Sequence, residues 1–215
     1  MSTKNSNYVR QEHDWYVEPD WCVEALADAE QFHGAIYDPA CGGGNILRVF
    51  NARGHHTYGT DIVCRPGGTK KRRDFLCDPS PFIDWRPDNI VTNPPYGNKG
   101  CARLGLSIRH HDDSEQFVLR ALGEARRKVA ILQKVTWLGS QWRKPFFEST
   151  GLSRVYVMSR RPSIPPGDAD VPASGGSTDY AWFVWDKGHM GAPSLQFLHP
   201  EPKKGECDDE TQDAA

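Results

Sequence analysis

The sequence predicts an α/β domain built around a largely parallel sheet. Short apolar runs alternate with helical patterns through the middle of the chain, which is typical of repeated strand–helix units. A glycine-rich turn at 41–44 lies between an apolar run and a helical pattern, as expected where a strand leads into a helix. The run Val129-Ala130-Ile131-Leu132 is uniformly apolar, which indicates a strand buried on both faces.

Length and composition indicate one globular domain. The chain has 215 residues, of which 38% are hydrophobic and 25% charged, ordinary values for a globular protein. We expect residues 8–199 to form a single domain and the polar segments 1–7 and 200–215, the second of them acidic, to be disordered. No apolar run approaches the roughly 18 residues of a membrane span, and the polar N-terminus does not resemble a secretory signal. A cytoplasmic location without a membrane partner is therefore expected.

The cysteine and histidine patterns argue against a disulfide framework or a metal centre. The six cysteines are scattered without a CxxC pair, so free thiols are expected. The doublets His55-His56 and His110-His111 have no Cys or His partner at zinc-site spacing, so no metal is expected. The formal net charge of −2 differs from that of many dedicated nucleic-acid binders, although 70–73 is a local basic run.

The first half of the chain contains two predicted helices and four predicted strands. A helix is expected to begin at Pro19-Asp20, because proline fits the first helical turn, and to continue toward Phe32. A second helix, carrying Ile46 and Phe50, is expected to be closed by Gly54. Short apolar runs predict strands at 35–37, 58–62, 74–76 and 90–92, the third of them as a short strand edge.

The second half contains two more predicted helices and three strands. Ser114 is predicted to cap a helix that reaches Ala125, with basic residues at 126–128 near its C-terminal end. A strand at 129–132, a short helix at 140–149 and strands at 155–158 and 180–185 are predicted to follow. The Pro/Gly/Ser-rich loop at 161–178 is too long to be a tight hairpin.

The turn Asp38-Pro39-Ala40-Cys41-Gly42-Gly43-Gly44-Asn45 is the first candidate binding site. Glycines let the backbone pass close to a ligand, and a helix N-terminus offers free N–H groups, although such a run alone is often only a flexible loop. The GxGxxG and phosphate-loop patterns are missing, and no lysine follows the glycines. Because Asp38 would repel a pyrophosphate, the turn suits a ligand with a cationic head.

Two further aspartates follow at the expected ends of later strands. Asp61 comes about 20 residues after the turn, where a carboxylate can accept hydrogen bonds from ribose hydroxyls; taken alone it could equally be a solvated aspartate. Asp74 can accept a hydrogen bond from an adenine amino group while its neighbours Phe75 and Leu76 cover the ring. Together with the turn, they indicate a site for a nucleoside.

The tetrapeptide Asn93-Pro94-Pro95-Tyr96 directly follows the predicted strand at 90–92. Two consecutive prolines fix the backbone and leave its carbonyls exposed, because proline has no N–H. The Asn93 side-chain oxygen and the Pro94 carbonyl can bind the two hydrogens of a planar NH2 group, and Tyr96 can stack on the target ring. A rigid loop or a proline-rich ligand motif is the plainer interpretation of the same residues.

In their order along the chain, these elements resemble the amino-group branch of the Rossmann-like S-adenosylmethionine-dependent methyltransferases. The resemblance is closest to adenine-N6 DNA methyltransferases, including small phage-type members. The segment Trp15-Tyr16-Val17-Glu18-Pro19 is similar to their additional cofactor motif, and 178–185 is similar to their last strand. The resemblance spans residues 15–188 and implies a class I fold: a seven-stranded, mostly parallel sheet with helices on both faces, in which 180–185 is an antiparallel last strand.

The resemblance also implies roles for individual residues. The cofactor would be S-adenosylmethionine, with its methionine end at Asp38 and Gly42, its ribose at Asp61 and its adenine at Asp74 and Phe75. The full set of expected cofactor-binding residues is Tyr16, Pro19, Asp38, Pro39, Ala40, Gly42, Gly44, Asn45, Asp61, Ile62, Asp74, Phe75 and Asn93. The catalytic turn would be Asn93, Pro94, Pro95 and Tyr96, which hold the target amine for direct methyl transfer without a catalytic cysteine.

The resemblance implies DNA as the partner, with RNA as the alternative, and basic residues near the predicted target site are candidates for contacts with its backbone. A base within a duplex would have to be flipped out to reach the turn. The candidate phosphate-binding residues are Lys99, Arg103, Arg109, Arg143, Arg160 and Arg161, each of which could instead be a solvated surface charge. No segment is long enough to form a separate target-recognition domain.

Three functions stay open on the sequence alone, and so does the choice between monomer and homodimer. Transfer to N6 of adenine in DNA is favoured. Methylation of RNA adenine or of a protein glutamine amide is the first alternative, because enzymes of those kinds also contain Asn-Pro-Pro-Tyr. A non-catalytic module that binds cofactor or nucleic acid is the second, and the intact Asn93 and Tyr96 argue against it.

Overall fold

The computed structural model describes residues 15–82, 84–106, 112–167 and 176–199, and within these ranges one sheet is covered by helices. The strands are β1 Ile36–Asp38, β2 Thr57–Gly59, β3 Asn89–Thr92, β4 Lys128–Lys134, β5 Arg154–Met158, β6 Tyr180–Asp186 and β7 Ser194–Leu198. The helices are α1 Asp20–Ala29, α2 Asn45–Ala52, α3 Lys99–Arg103, α4 Asp113–Glu124 and α5 Arg143–Thr150. The two termini predicted to be disordered and the candidate Arg109 lie outside the described residues.

The seven strands run in the order β2-β1-β3-β4-β6-β5-β7. All neighbours are parallel except β6, which is antiparallel to both β4 and β5. The pairing of Tyr37 with Ile90 places the carboxyl ends of β1 and β3 at the same edge of the sheet. Asp38 ends β1 and Asn93 follows β3, so the glycine turn and the Asn93–Tyr96 turn emerge side by side.

The sheet has an apolar layer on each face, so the predicted helices on both faces are present. On one face α1 and α2 pack Leu26 and Phe50 against strand residues such as Trp182. On the other face α4 and α5 pack Phe117 and Phe147 against strand residues that include Phe183. Burying both faces explains the uniformly apolar β4, whose residues 129–132 are fully buried.

The structure corrects four details of the predicted elements. Residues 74–76 form a turn rather than a strand edge, because the Asp74 carboxylate accepts the Leu76 backbone N–H at 3.0 Å. The antiparallel strand is present as predicted, but β7 follows it and lies at the edge of the sheet beside β5. The cap of α4 is Asp112, which accepts the Glu115 N–H at 2.9 Å, and Ser114 lies within the helix. The short helix α3 lies between the Asn93–Tyr96 turn and α4, where no element was predicted.

The helices in the described ranges are short. The longest of them, α4, has 12 residues, and none meets the length and apolarity required to span a bilayer.

Candidate functional site

The glycine turn after β1 is formed by close contact between two stretches of backbone. Gly42 and Gly44 have positive φ angles of 47° and 84°, which turn the chain from β1 into α2. The segment Arg65–Gly68 lies directly on this turn. A Cβ atom added to Gly68 would be 1.9 Å from the Gly42 carbonyl oxygen. Glycine is therefore required at position 68 to allow two main chains to touch.

The Asp61 carboxylate holds the glycine turn from the side. One of its oxygens accepts the Gly42 N–H at 2.8 Å, and the other accepts the Val63 N–H at 2.9 Å. Asp61 is only 7% exposed. Its side chain is thus fixed at the carboxyl edge of the sheet, at the place where the sequence predicted a ribose-binding carboxylate.

Two further carboxyl groups beside the turn are buried. Asp38 accepts the Ala40 N–H at 3.1 Å, and burial raises the pKa of Asp38 well above its usual range. Glu18 comes from the segment before α1, and burial raises the pKa of its carboxyl to about 7. Because desolvation opposes the charged form of both groups, a cation entering here would stabilise their ionised forms. This end of the site therefore suits a positively charged ligand.

The segment Trp15–Glu18 forms one wall of the site and is held by residues far along the chain. The Val17 N–H donates to the Pro165 carbonyl at 3.0 Å, and the Gly167 N–H donates to the Trp15 carbonyl at 3.1 Å. The Arg65 guanidinium lies 4.1 Å from the centre of the Trp15 ring. Arg65 forms no ion pair with any residue that the structure describes, and it lines the cleft next to Trp15.

The opposite end of the site combines apolar rings with a carboxylate. Phe75 is 2% exposed and contacts Phe117, with 4.9 Å between the ring centres. Asp74 lies beside it and pairs with Arg103 at 3.0 Å. An adenine ring could pack against Phe75, although its amino group would have to share Asp74 with Arg103.

The Asn93 side chain joins this site to the Pro-Pro turn. Its Nδ2 group donates to the Tyr16 carbonyl at 3.1 Å and to Glu18 Oε2 at 2.8 Å, and its Oδ1 accepts the Tyr96 hydroxyl. The turn is further held by Ser114, whose hydroxyl donates to the Pro95 carbonyl at 3.3 Å. The Gln133 side chain in turn donates to that hydroxyl at 2.7 Å. The turn is therefore fixed by side chains from several distant elements.

These elements enclose a cleft of about 740 Å³, including the part open to solvent. The predicted cofactor residues that line it are Tyr16, Asp38, Pro39, Ala40, Gly42, Asn45, Asp61, Ile62, Asp74, Phe75 and Asn93. Pro19 and Gly44, which immediately precede α1 and α2, do not line it.

The residues of the Asn93–Tyr96 turn lie between this cleft and a second depression. Asn93 and Pro95 line the cleft, and Pro94 is buried outside its lining. Tyr96 lines the second depression together with Lys134 and Trp137; its volume is about 530 Å³ including open solvent. Lys134 Nζ lies 5.9 Å from the Tyr96 ring centre. The turn thus separates a site for a small cationic ligand from a more open polar site.

The predicted phosphate-binding residues differ in how far their charges are compensated. Arg143 pairs with both Asp112 and Glu115 and is largely buried, which leaves it poorly placed for an external phosphate. Two others are paired with acidic residues, Arg103 with Asp74 and Arg161 with Asp179 at 2.7 Å. Arg160 lies 5.8 Å from the Trp21 ring centre, and Lys99 is exposed.

Four residues of the site were missed in the sequence: Glu18, Arg65, Ser114 and Gln133. Glu18 stands inside the segment that was already singled out, and a glutamate between apolar residues next to proline was a usable signal. The contacts of the other three involve residues distant in sequence, which no local pattern reveals. Within the described ranges, no group of three or more His, Cys, Asp or Glu side chains is placed to hold a metal ion.

Comparison with known proteins gives similar structures but no similar sequence. No protein-family model and no curated protein matches the sequence. A proposed class I S-adenosylmethionine-dependent methyltransferase from Listeria monocytogenes superposes with a TM-score of 0.59 and 13% identity, over 91% of this chain and 68% of that one. A type I restriction-modification methyltransferase subunit from Streptococcus thermophilus gives a TM-score of 0.59 with 14% identity, over 86% of this chain and 47% of that one.

A third similar structure is a modification subunit of a proposed type I restriction enzyme from Vibrio vulnificus YJ016. Its TM-score is 0.57 and its identity 16%, over 88% of this chain and 48% of that one. The chain thus spans about half the length of the two restriction-modification subunits. At these identities the likeness concerns the fold, and the predicted fold class is confirmed: the chain has the fold of the class I S-adenosylmethionine-dependent methyltransferases.

Proposed function

We propose that the protein transfers a methyl group from S-adenosylmethionine to an exocyclic amine, with N6 of adenine in DNA as the favoured target. The position of Asn93 carries the proposal. This side chain lines the acidic cleft and also begins the Pro-Pro turn, so a group bound in the cleft and a group held by the turn would meet at Asn93. A cleft for a cationic nucleoside beside a turn for a planar amine is what this transfer requires.

The residues that line the cleft fit the proposed cofactor group by group. The sulfonium and ammonium charges would lie near the buried carboxyl groups of Glu18 and Asp38. The ribose hydroxyls would donate to Asp61, and the adenine would pack on Phe75. The cofactor's own carboxylate would face Arg65, whose guanidinium lies over Trp15 beside the glycine turn.

The protein residues would act on the target amine by positioning and polarising it. Bound S-adenosylmethionine supplies an electrophilic methyl group. Asn93 Oδ1 and the Pro94 carbonyl would accept the two hydrogens of the target NH2, which turns the nitrogen lone pair toward the cleft. In the structure the Tyr96 hydroxyl donates to Asn93 Oδ1, and this hydrogen bond would have to break before the Tyr96 ring could stack on the target. The proton released after transfer would pass to solvent.

Nucleic acid is the favoured substrate because the second depression next to Tyr96 carries basic and aromatic residues. Lys134 and Trp137 line it, and Lys99 is exposed on α3, which follows the turn. A flipped base could stack on Tyr96 while its backbone contacts these cations. The similar folds include methyltransferase subunits of restriction-modification systems, which is in keeping with a DNA substrate.

The test is to incubate the purified protein with methyl-tritiated S-adenosylmethionine and, separately, with unmodified DNA, RNA and protein extract. The labelled product is then identified after digestion. Label in N6-methyladenine from DNA is the expected result, and DNA in which the adenines are already N6-methylated should accept none. Label in RNA or in glutamine would keep the chemistry but replace the substrate. Bound cofactor without transfer to any of the three would contradict the proposal.

A further inference from the structure

Glu18 is a buried carboxyl group at the centre of the site. It is 7% exposed, lines the cleft and forms no ion pair among the described residues. Burying a carboxyl group without a cationic partner is costly, so its contacts have to offset that cost. The side-chain hydrogen bond found for it in the described ranges comes from Asn93 Nδ2, at 2.8 Å.

The contacts of Asn93 fix which way its amide points. The Nδ2 group has two hydrogens, and both are used, one by the Tyr16 carbonyl and one by Glu18 Oε2. Rotating the amide by a half-turn would place Oδ1 against two acceptors that have no hydrogen to donate while Glu18 is ionised. Glu18 and the Tyr16 carbonyl therefore hold Oδ1 on the side of Tyr96.

From this geometry we propose that Glu18 is a positioning residue for methyl transfer, which acts on the target amine through Asn93. An ionised carboxylate that accepts from Nδ2 favours the resonance form of the amide in which Oδ1 carries negative charge. Oδ1 then becomes a stronger acceptor, since linked hydrogen bonds polarise one another. Oδ1 is the atom that binds the target amine in the proposed function, on which this inference rests. Glu18 thereby contributes to the orientation of the acceptor and to its strength.

Ionisation of Glu18 predicts a pH dependence near neutrality. Burial raises the pKa of Glu18 to about 7, and ionisation strengthens its hydrogen bond with Asn93. The titratable and charged groups that face Glu18 are Asp20, Cys22, Asp38, Arg48 and Tyr96. The transfer rate should rise with pH as Glu18 loses its proton. A bound sulfonium cation lowers the pKa of a nearby carboxyl, so the midpoint in kcat should lie below the midpoint in kcat/KM for the cofactor.

The first experiment does not require the protein to transfer a methyl group. In the ¹⁵N-labelled full chain, the Asn93 side-chain NH2 signals are assigned by their loss in Asn93→Ala and are followed from pH 5 to 9. We expect them to shift with a midpoint near 7 in the wild type and to be independent of pH in Glu18→Gln. Signals that do not move in the wild type, or that still titrate in Glu18→Gln, would overturn the inference.

The second experiment measures methyl transfer by the same variants. Glu18→Ala should lower kcat by roughly 10- to 100-fold, the scale on which one positioned polar group acts. It should also raise cofactor KM, because it removes a carboxyl group beside the bound cation. Glu18→Gln keeps an acceptor for Nδ2, so its loss should be smaller and its profile flat near pH 7. Glu24→Gln, with the same charge change at an exposed position of α1, is the matched control.

The two experiments separate this inference from the proposed function. Full kcat and an unchanged pH profile in both Glu18 variants would overturn the positioning role. A wild-type protein that transfers no methyl group would instead contradict the proposed function. In that case the Asn93 titration still decides whether Glu18 controls the amide.

Discussion

Two turns border the cleft and are built in different ways. The glycine turn at 41–44 forms the cofactor end, and the Asn93–Tyr96 turn forms the target end. At the glycine turn, backbone lies on backbone: Gly68 contacts the Gly42 carbonyl, and Asp61 accepts the Gly42 N–H. At the Pro-Pro turn, side chains make the contacts: Asn93 donates to Glu18, 75 residues away in sequence, and accepts the hydroxyl of Tyr96 in the same turn. At the first end the main chain itself forms the wall, whereas the second end is held by side-chain hydrogen bonds.

This difference suits a division of labour between a cofactor and a target. A cofactor that is the same in every turnover can be bound by a fixed backbone cradle. A target amine that must enter and leave needs an acceptor that is already oriented but still accessible. The Tyr96 hydroxyl donates to Oδ1 of Asn93, so under the proposed function this hydrogen bond would have to break when the target amine binds.

Breaking the target end should have the largest effect on catalysis. Asn93→Ala removes the proposed acceptor, and we expect kcat to fall by roughly 10²- to 10³-fold, since loss of one preorganised polar group has that effect. Cofactor affinity, measured by titration calorimetry, should fall much less, because the hydrogen bond between Gly42 and Asp61 does not involve Asn93. Asn98→Ala, with a side chain that caps no helix, is the control. Equal losses of transfer and cofactor binding would contradict this separation.

Breaking the cofactor end should affect folding and cofactor binding together. Gly68→Ala forces a Cβ against the Gly42 carbonyl, and overpacking of this kind costs about 1–3 kcal/mol. The free energy of unfolding from urea titration and the cofactor Kd should both worsen. Gly123→Ala is the matched control, since an added Cβ there meets nothing within 4 Å on α4 and should stabilise the helix by about 0.5–1 kcal/mol. Gly68→Ala with unchanged cofactor affinity would show that the cradle tolerates displacement.

The same difference decides what could be predicted from the sequence. The parallel sheet was predictable because its signals are local: a uniformly apolar β4, and an acidic residue followed by glycines after β1. Asp61 could be placed beside the turn because it follows the next predicted strand, and this strand pairs in parallel with β1. The helix cap was misplaced by two residues because Asp112 and Ser114 are both good caps in sequence, and packing selected Asp112 while Ser114 bonds to Pro95. Glu18 and Arg65 contact residues that are distant in sequence, so their contacts are visible only in the folded structure.

The edge strand β7 escaped prediction for a different reason. Its segment 194–198 contains Leu195, Phe197 and Leu198, so an apolar signal is present, but the resemblance implied that 180–185 is the last strand. The segment 74–76 resembles a strand edge in sequence because Phe75 and Leu76 are apolar, and both are buried, but the Leu76 N–H donates to the Asp74 carboxylate and the segment forms a turn. The apolar residues of this segment indicate its burial, but they do not indicate whether its backbone forms a strand or a turn.

A smaller effect is expected at the wall of the cofactor end. If Arg65 binds the cofactor's carboxylate, Arg65→Gln should weaken S-adenosylhomocysteine binding about tenfold, which is about 1.4 kcal/mol. The affinity for 5′-methylthioadenosine, which lacks the amino-acid part, should not change. Titration calorimetry with both ligands makes the ligand itself the control, because stacking on Trp15 is disturbed equally in each case. An equal loss for the two ligands would assign Arg65 a structural role only.

The smallest effect is expected for exposed cations at the target end. Lys99 is exposed and forms no ion pair in the described part of the chain, whereas Arg161 is paired with Asp179 at 2.7 Å. If Lys99 contacts a phosphate, Lys99→Ala should reduce the slope of log K against log salt for duplex DNA by about 0.9. Arg161→Ala should change that slope less, because Asp179 already compensates its charge. Fluorescence anisotropy over a salt series compares the two. Equal changes in slope for the two variants would mean that the ion pair between Arg161 and Asp179 breaks when DNA binds.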